Sequence, residues 1–267
     1  MKPELTVVKI GGKVLDDQVQ LGKLLDLFVQ IPGFKILVHG GGKTATDIAN
    51  KLGVSAPMIN GRRITSPEML DVAVMVYGGL MSRQIVAQLQ ARGQNALGMT
   101  GADLDVIRAR KRPVKDIDYG LAGDIVSVNP DSLDILIRQD IVPVLAPLTH
   151  DGQGQLLNTN ADTIAATIAG SLGKNFHVNL VYCFEKPGVM IDPDDPQTVI
   201  PQLDYAGYQN YLEQGIIAAG MIPKLKNAFD ALNTGVEKVY ICQAEAIAKI
   251  GLEDFIGTRI EIRANNV

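Results

Sequence analysis

The sequence predicts a three-layer α/β/α sandwich with a mainly parallel central sheet. Three observations carry that prediction. Short runs rich in Val, Ile and Leu recur along the 267 residues. They alternate with longer amphipathic segments of helical period, the pattern of a parallel sheet covered on both faces. Glycine turns close the first two runs, at Gly11-Gly12 and Gly40-Gly41-Gly42, where ligands of such sheets bind, beyond the strand C-terminal ends.

Six strands are expected, at 5–10, 34–38, 96–99, 141–145, 178–183 and 236–242. Helices are expected at 17–30, 43–52, 67–91, 130–138, 160–172, 205–214 and 221–233. Two stretches break the alternation. Residues 105–128 carry charge-rich extended pieces and several glycines, which suits a β-hairpin flap. Residues 147–158 contain the hairpin turn Asp151-Gly152-Gln153-Gly154. The chain reads as one unit with two lobes, 1–172 and 173–267, the first expected to bind an acceptor and dimerise and the second to bind nucleotide once the resemblance below is considered.

Composition excludes several function classes. Apolar residues make up 46% of the chain and supply a large core, whereas Trp is absent and aromatics are few, so base stacking is not expected. The net charge is −4 with signs interspersed, the opposite of a nucleic-acid footprint. Cys183 and Cys242 lie in apolar segments and read as buried thiols of a reducing compartment. The longest uninterrupted apolar run, 141–148, is too short to span a bilayer, and the N-terminus enters a strand with no secretory segment. A cytoplasmic protein that binds neither membrane nor nucleic acid is expected.

The turn Gly40-Gly41-Gly42 gives up packing and backbone entropy, about 1 kcal/mol per glycine. In exchange it offers bare backbone N–H groups at a helix N-terminus, where anionic oxygens bind. A tight strand–helix turn is the plainer alternative. Gly42-Lys43-Thr44 mimics the tail of a phosphate-binding loop, but Leu37 occupies the position where that loop needs its first glycine. The dinucleotide fingerprint G-x-G-x-x-G is absent too.

Lys9 is a charge inside an apolar strand, costly to bury unless an anion meets it; snorkelling to water is the alternative. Asn160 reads as a helix N-cap with Asp162 in the first turn, which leaves Asn158 unexplained. Lys224 sits at the start of a helix opened by Pro223, where a cation is unfavourable unless an anionic ligand is present. Arg62 and Arg63 form a pair whose planar forks match carboxylates, one of them readily explained as surface charge. His39, His150 and His177 show no ligand spacing; His39 is assigned a structural role and no protein metal site is expected.

Taken together, Lys9-Ile10-Gly11-Gly12, His39-Gly40-Gly41-Gly42, Asn60-Gly61-x-Arg63-x-Thr65, Asn158-x-Asn160-Ala161-Asp162, Gly220-Met221-Ile222-x-Lys224 and Gly257-Thr258-Arg259-Ile260 resemble the amino-acid kinase family. The resemblance spans nearly the whole chain in the family's order. Among its members, those that phosphorylate N-acylated glutamate are the most similar. It implies transfer of the ATP γ-phosphoryl group to a side-chain carboxylate in arginine biosynthesis, on an acyl group that is acetyl or something larger such as succinyl.

By the same resemblance, Lys9 and Lys224 would stabilise the phosphoryl group in transfer and Asp162 would hold both. Gly41 and Gly42 would cradle substrate oxygens, with Gly11 and Gly12 beside the nucleotide phosphates. Arg63 and Asn158 would fix the α-carboxylate. Nucleotide would lie near Glu185, Lys186, Pro187, Gly188, Val189 and Met190 and near Ile216, Ile217 and Ala218, with Mg²⁺ held by the ATP phosphates. The chain departs from the family at Glu185-Lys186-Pro187-Gly188, where Asp-Val-x-Gly is common, and at Ser82-Arg83, where Asn-Lys is frequent. Starting directly at the first strand, it is expected to be a homodimer without arginine feedback. A glutamate, aspartate or 2-aminoadipate kinase, a non-catalytic ligand sensor on the same fold and, more remotely, a dinucleotide-dependent oxidoreductase are the alternatives.

Overall fold

The computed structural model describes residues 2–59, 61–217 and 221–262. Asn60, Ala218 and Gly220, singled out above, lie outside the described residues. From the N-terminus, β1 (Glu4–Ile10) passes through one turn, α1 (Lys13–Asp16), into α2 (Gln18–Phe28). β2 (Phe34–His39) runs into α3 (Gly42–Lys51), and a small ribbon follows, β3 (Met58–Ile59) with β4 (Arg62–Arg63). α4 (Pro67–Ala73) continues through a π-helical stretch, Val74–Met81, into α5 (Ser82–Ala91). Then come β5 (Ala96–Met99), β6 (Ile107–Lys111), β7 (Gly123–Val128), α6 (Pro130–Arg138) and β8 (Val142–Leu145). β9 (Leu148–His150), β10 (Leu156–Asn158), α7 (Ala161–Leu172) and β11 (His177–Cys183) precede β12 (Gln202–Leu203) and α8 (Tyr205–Glu213). α9 (Ile222–Asn233), β13 (Lys238–Cys242) and β14 (Thr258–Ile260) complete the order.

The main sheet has eight strands in the order β12-β14-β13-β11-β1-β2-β8-β5, parallel throughout except where β14 meets β13. The expected six strands form its contiguous run β13-β11-β1-β2-β8-β5, with the two added strands at one end. The added strands, β12 and β14, are two and three residues long and too short to show a period. Both stretches that broke the alternation join one second sheet, β10-β9-β6-β7: the flap β6–β7 and the hairpin β9–β10 meet at Arg108 and His150.

Strand periodicity of two decides what each layer holds. Leu5 and Val7 of β1 join Ile36 and Val38 of β2 in a core under α6, α7 and α9. Val8, Ile10 and Leu37 face the opposite core, under α2, α4 and α5. Lys9 shares the parity of Leu5 and Val7 and therefore points toward α7 and α9.

The helix Pro67–Ala91 is one departure from the expectation that no segment could span a bilayer. Over its 25 residues it is long and apolar enough to do so by length and composition. Half of its most apolar 18-residue stretch is buried, and Met69, Val76, Ile85 and Leu89 of the helix lie in the core, so its apolar character is accounted for by packing.

Candidate functional site

β1 and β2 end side by side, and their glycine turns abut: the Gly40 N–H donates to Ile10 O at 3.0 Å. The Lys9 side chain folds back over the first turn. A β-carbon at Gly11 would lie 2.6 Å from Lys9 Nζ, so only glycine leaves room for the ammonium there. Across the cleft, the Asn160 side chain caps α7 by accepting the Thr163 N–H at 3.0 Å. Capping thus explains Asn160 and places Asp162 in the first turn, facing β1.

Asp162 joins the two lysines. Lys9 Nζ lies 2.7 Å from Oδ1 as an ion pair not aligned as a hydrogen bond, and Lys224 Nζ donates to Oδ2 at 3.1 Å. Lys224 projects from the first turn of α9, its ammonium 5.8 Å from the centre of the Phe184 ring. Burial alone would raise the Asp162 carboxyl, but the two ammonium groups outweigh it and bring it down to about 2. Two cations on one carboxylate leave a surplus positive charge at a partly dry site, which a phosphate would satisfy.

This gives a pH prediction. A carboxyl lowered from 3.8 to about 2 contributes stability that is complete above about pH 4 and is lost as pH falls toward 2, worth roughly 2 kcal/mol. Urea midpoints of the wild type and Asp162→Asn should therefore converge between pH 5 and pH 2.5. Equal acid slopes in the two proteins would contradict the bridged arrangement.

The second glycine turn forms the floor. Gly41 adopts φ 138°, and no side chain caps α3, so the first amides of that helix are open to an anion. His39 is fully buried and burial holds its ring down at about 4, neutral near pH 7. Its Nδ1 lies 2.8 Å from Gly40 O, an acceptor only, so Nδ1 carries the proton. That is the structural role expected of it. Lys43 points away and pairs with Asp47 at 3.0 Å, so the apparent Lys-Thr tail of a phosphate loop has no counterpart here.

Arg63 is buried and braces the floor. It donates to Gly42 O at 2.7 Å, Thr46 Oγ1 at 2.8 Å and Ala56 O at 3.1 Å. Asn158 Nδ2 donates to Thr65 Oγ1 at 3.0 Å. A cavity of about 160 Å³ brings Gly41, Gly42, Arg63 and Asn158 together. Arg62, Tyr77 and the flap's Gly123 line it too, none of them assigned to a site from sequence. Tyr77 and Met81 reach Gly41 from the π-helical stretch, a winding frequent at functional sites and invisible to a search for 3.6-residue period.

The remaining residues border the other side of the lysines. A β-carbon at Gly12 would lie 3.0 Å from Glu185 Oε1, so the acid closes over the first glycine turn. Lys186 Nζ donates to Pro193 O at 2.7 Å. The Val189 N–H donates to Thr258 Oγ1 at 2.8 Å, and Gly188 is closed in by the same threonine. Thr258 thereby shapes the Glu185–Met190 segment, which includes Pro187. Val189, Met190 and Ile217 are buried, so their side chains serve the core, and both backbone groups of Val189 are taken, its N–H by Thr258 Oγ1 and its C=O by the Ile200 N–H; Ile216 is half-buried. Among the described residues no cluster of three His, Cys, Asp or Glu side chains could hold a metal.

Residues 4–243 match the amino acid kinase family. The chain belongs to that family. An acetylglutamate kinase of Bacteroides fragilis is 55% identical over 98% of both chains. One from Cytophaga hutchinsonii is 48% identical over 96% of this chain and 98% of its own, and one from Methanopyrus kandleri is 36% identical over 91% and 96%. Among solved structures, the N-acetylglutamate synthase of Neisseria gonorrhoeae, complexed with coenzyme A and N-acetyl-glutamate, superposes with a TM-score of 0.82 at 24% identity. That likeness covers 98% of this chain but 60% of the synthase and shows the fold alone. Carbamate kinase from Giardia lamblia, at TM-score 0.69 and 14% identity, covers 97% and 98%.

Proposed function

We propose that this amino acid kinase transfers the γ-phosphoryl group of ATP to the side-chain carboxylate of an N-acylglutamate, N-acetyl-L-glutamate in the relatives' terms, as a step of arginine biosynthesis. One observation carries the reading: Asp162 holds the ammonium groups of Lys9 and Lys224 together beside the open amides of Gly41 and Gly42.

Phosphoryl transfer asks for alignment and for compensation of charge spread over the transferring oxygens, with little covalent help. The acceptor carboxylate is already ionised at neutral pH, so the reaction needs no general base. Lys9, folded over Gly11 near the acceptor cavity, neutralises charge from the acceptor side. Lys224, entering from α9, does so from the donor side. Asp162 fixes both ammonium groups before substrate arrives. Arg63 and Asn158 hold the α-carboxylate, and Arg63 does so while bracing the Gly42 carbonyl, which links recognition to the shape of the floor.

Nucleotide is assigned to the region 173–267, over Gly11, Gly12, the Glu185–Met190 turn and Ile216–Ile217, with acceptor binding and dimer contacts in 1–172. Ala218 belongs to the same assignment. The donor set suits phosphate oxygens better than a bare cation, since the nearest carboxylate already serves two ammonium groups. Mg²⁺ would therefore be carried by the ATP phosphates and would shield their charge. A cytoplasmic homodimer completes the proposal.

A coupled ADP-release assay tests it across N-acylglutamate, glutamate, aspartate and 2-aminoadipate. Release is expected with N-acylglutamate, from a species of twice the 28.7 kDa chain mass. Release with a free amino acid alone would favour the related carboxylate kinases.

A further inference from the structure

The acceptor cavity contains one more cation than N-acetylglutamate can use. Under the kinase reading, on which this inference rests, the reacting carboxylate meets Lys9 and the Gly41–Gly42 amides, and the α-carboxylate meets Arg63. Arg62 lines the same cavity. Surface charge would explain one member of the pair, yet Arg62 is half-buried and its guanidinium makes no hydrogen bond or ion pair among the described residues.

Its surroundings do not satisfy it. Arg112 lies close enough to repel it, and burial together with that like charge lowers the guanidinium from its ordinary value. Asp124 attracts Arg62, but the same carboxylate is ion-paired with Arg112, which also stacks 5.6 Å over the Tyr119 ring. These neighbours belong to the flap β6–β7 and the loop between its strands. Arg62 therefore faces the flap end of the cavity, while Arg63 is anchored at the floor by Gly42 and Thr46.

A desolvated cation beside another cation is unfavourable unless an anion joins it. The methyl of an acetyl group would leave that mismatch in place. A carboxylate would meet the guanidinium fork bidentately and offset the repulsion from Arg112. We propose that the preferred acceptor carries an N-acyl group ending in a second carboxylate, a dicarboxylic acyl group of succinyl length, and that Arg62 binds it beneath the flap. Arg62 is then a specificity residue, remote from the reacting oxygens.

The test uses the full chain, ATP and two acceptors, N-acetyl-L-glutamate and N-succinyl-L-glutamate, in the ADP-release assay. The wild type is expected to show at least a tenfold higher kcat/KM for the succinylated acceptor. Arg62→Leu should abolish that preference through KM for N-succinylglutamate, changing kcat/KM for N-acetylglutamate less than threefold. A wild type that uses both equally, or prefers acetyl, overturns the inference and leaves the kinase reading standing. An equal loss with both acceptors in Arg62→Leu also overturns it, since Arg62 would then serve a group common to both. No release with either acceptor would overturn the kinase reading and this inference with it. If Arg62→Leu does not fold, the wild-type ratio decides alone.

Discussion

Lys224→Ala is expected to lower turnover roughly 100- to 1,000-fold while the protein stays folded, and Lys9→Ala to do the same. A preorganised donor aimed at charge that develops in the transition state is worth about 2–4 kcal/mol, and in the proposed reaction each ammonium group is such a donor. The fold should survive because neither change strands a buried charge. Without Lys224, Asp162 keeps Lys9 at 2.7 Å; without Lys9, it keeps Lys224 at 3.1 Å. Removing the carboxylate is the riskier change, since Asp162→Asn leaves two ammonium groups facing each other without a counter-ion.

The kinetic signature separates roles. A lysine acting only on the phosphoryl group in transfer lowers kcat and kcat/KM together, with KM for the acceptor little changed. A lysine that merely holds a ligand raises KM. The double variant Lys9→Ala/Lys224→Ala should lose less than the sum of the two single losses, because both act through one carboxylate. Steady-state ADP release with circular dichroism on the same samples gives all of these quantities. Unchanged turnover in a folded Lys224→Ala protein would favour a ligand sensor built on the same fold.

Much of this geometry was legible in the chain for a physical reason. Parity along β1 assigns Lys9 to the layer of Leu5 and Val7, and the cap at Asn160 places Asp162 in the first turn of α7. Both are local arguments, and both positions converge in the structure. Arg63 and Asn158 were read as ligand-facing groups; in the structure both line the cavity, and Arg63 also braces Gly42. What local patterns could not reveal depends on contacts distant in sequence. Tyr77 and Met81 reach Gly41 through a π-helical winding that looks like ordinary helix in sequence. Thr258 shapes the turn before Met190 across 69 residues. The choice between Arg62 and Arg63 as the surface member of the pair turns on the flap and Arg112, which no spacing within the motif encodes.

Gly41→Ala is expected to abolish most activity and to destabilise the protein as well, which distinguishes it from the lysine variants. At φ 138° an L side chain is strained whatever room surrounds it, at a cost of about 1–3 kcal/mol. Here there is no room either. The added β-carbon would lie 2.2 Å from Met81 Sδ, 3.0 Å from Met81 Cε and 3.1 Å from Tyr77 Cδ1. Methionine is pliant, so Met81 could turn aside, but both it and Tyr77 are buried. The backbone will therefore share the adjustment, and the amides of Gly41 and Gly42 will turn from the direction in which the proposed reaction needs them. Displacing them should cost at least 100-fold in kcat, comparable to losing one oxyanion donor. Gly41→Ala/Met81→Ala provides the control. It removes the clash and should recover part of the stability, measured as a urea midpoint. Activity should stay low, because the strain at φ 138° remains. Full recovery of turnover in the double variant would mean that packing against Met81, and not the direction of the amides, governs catalysis at this floor.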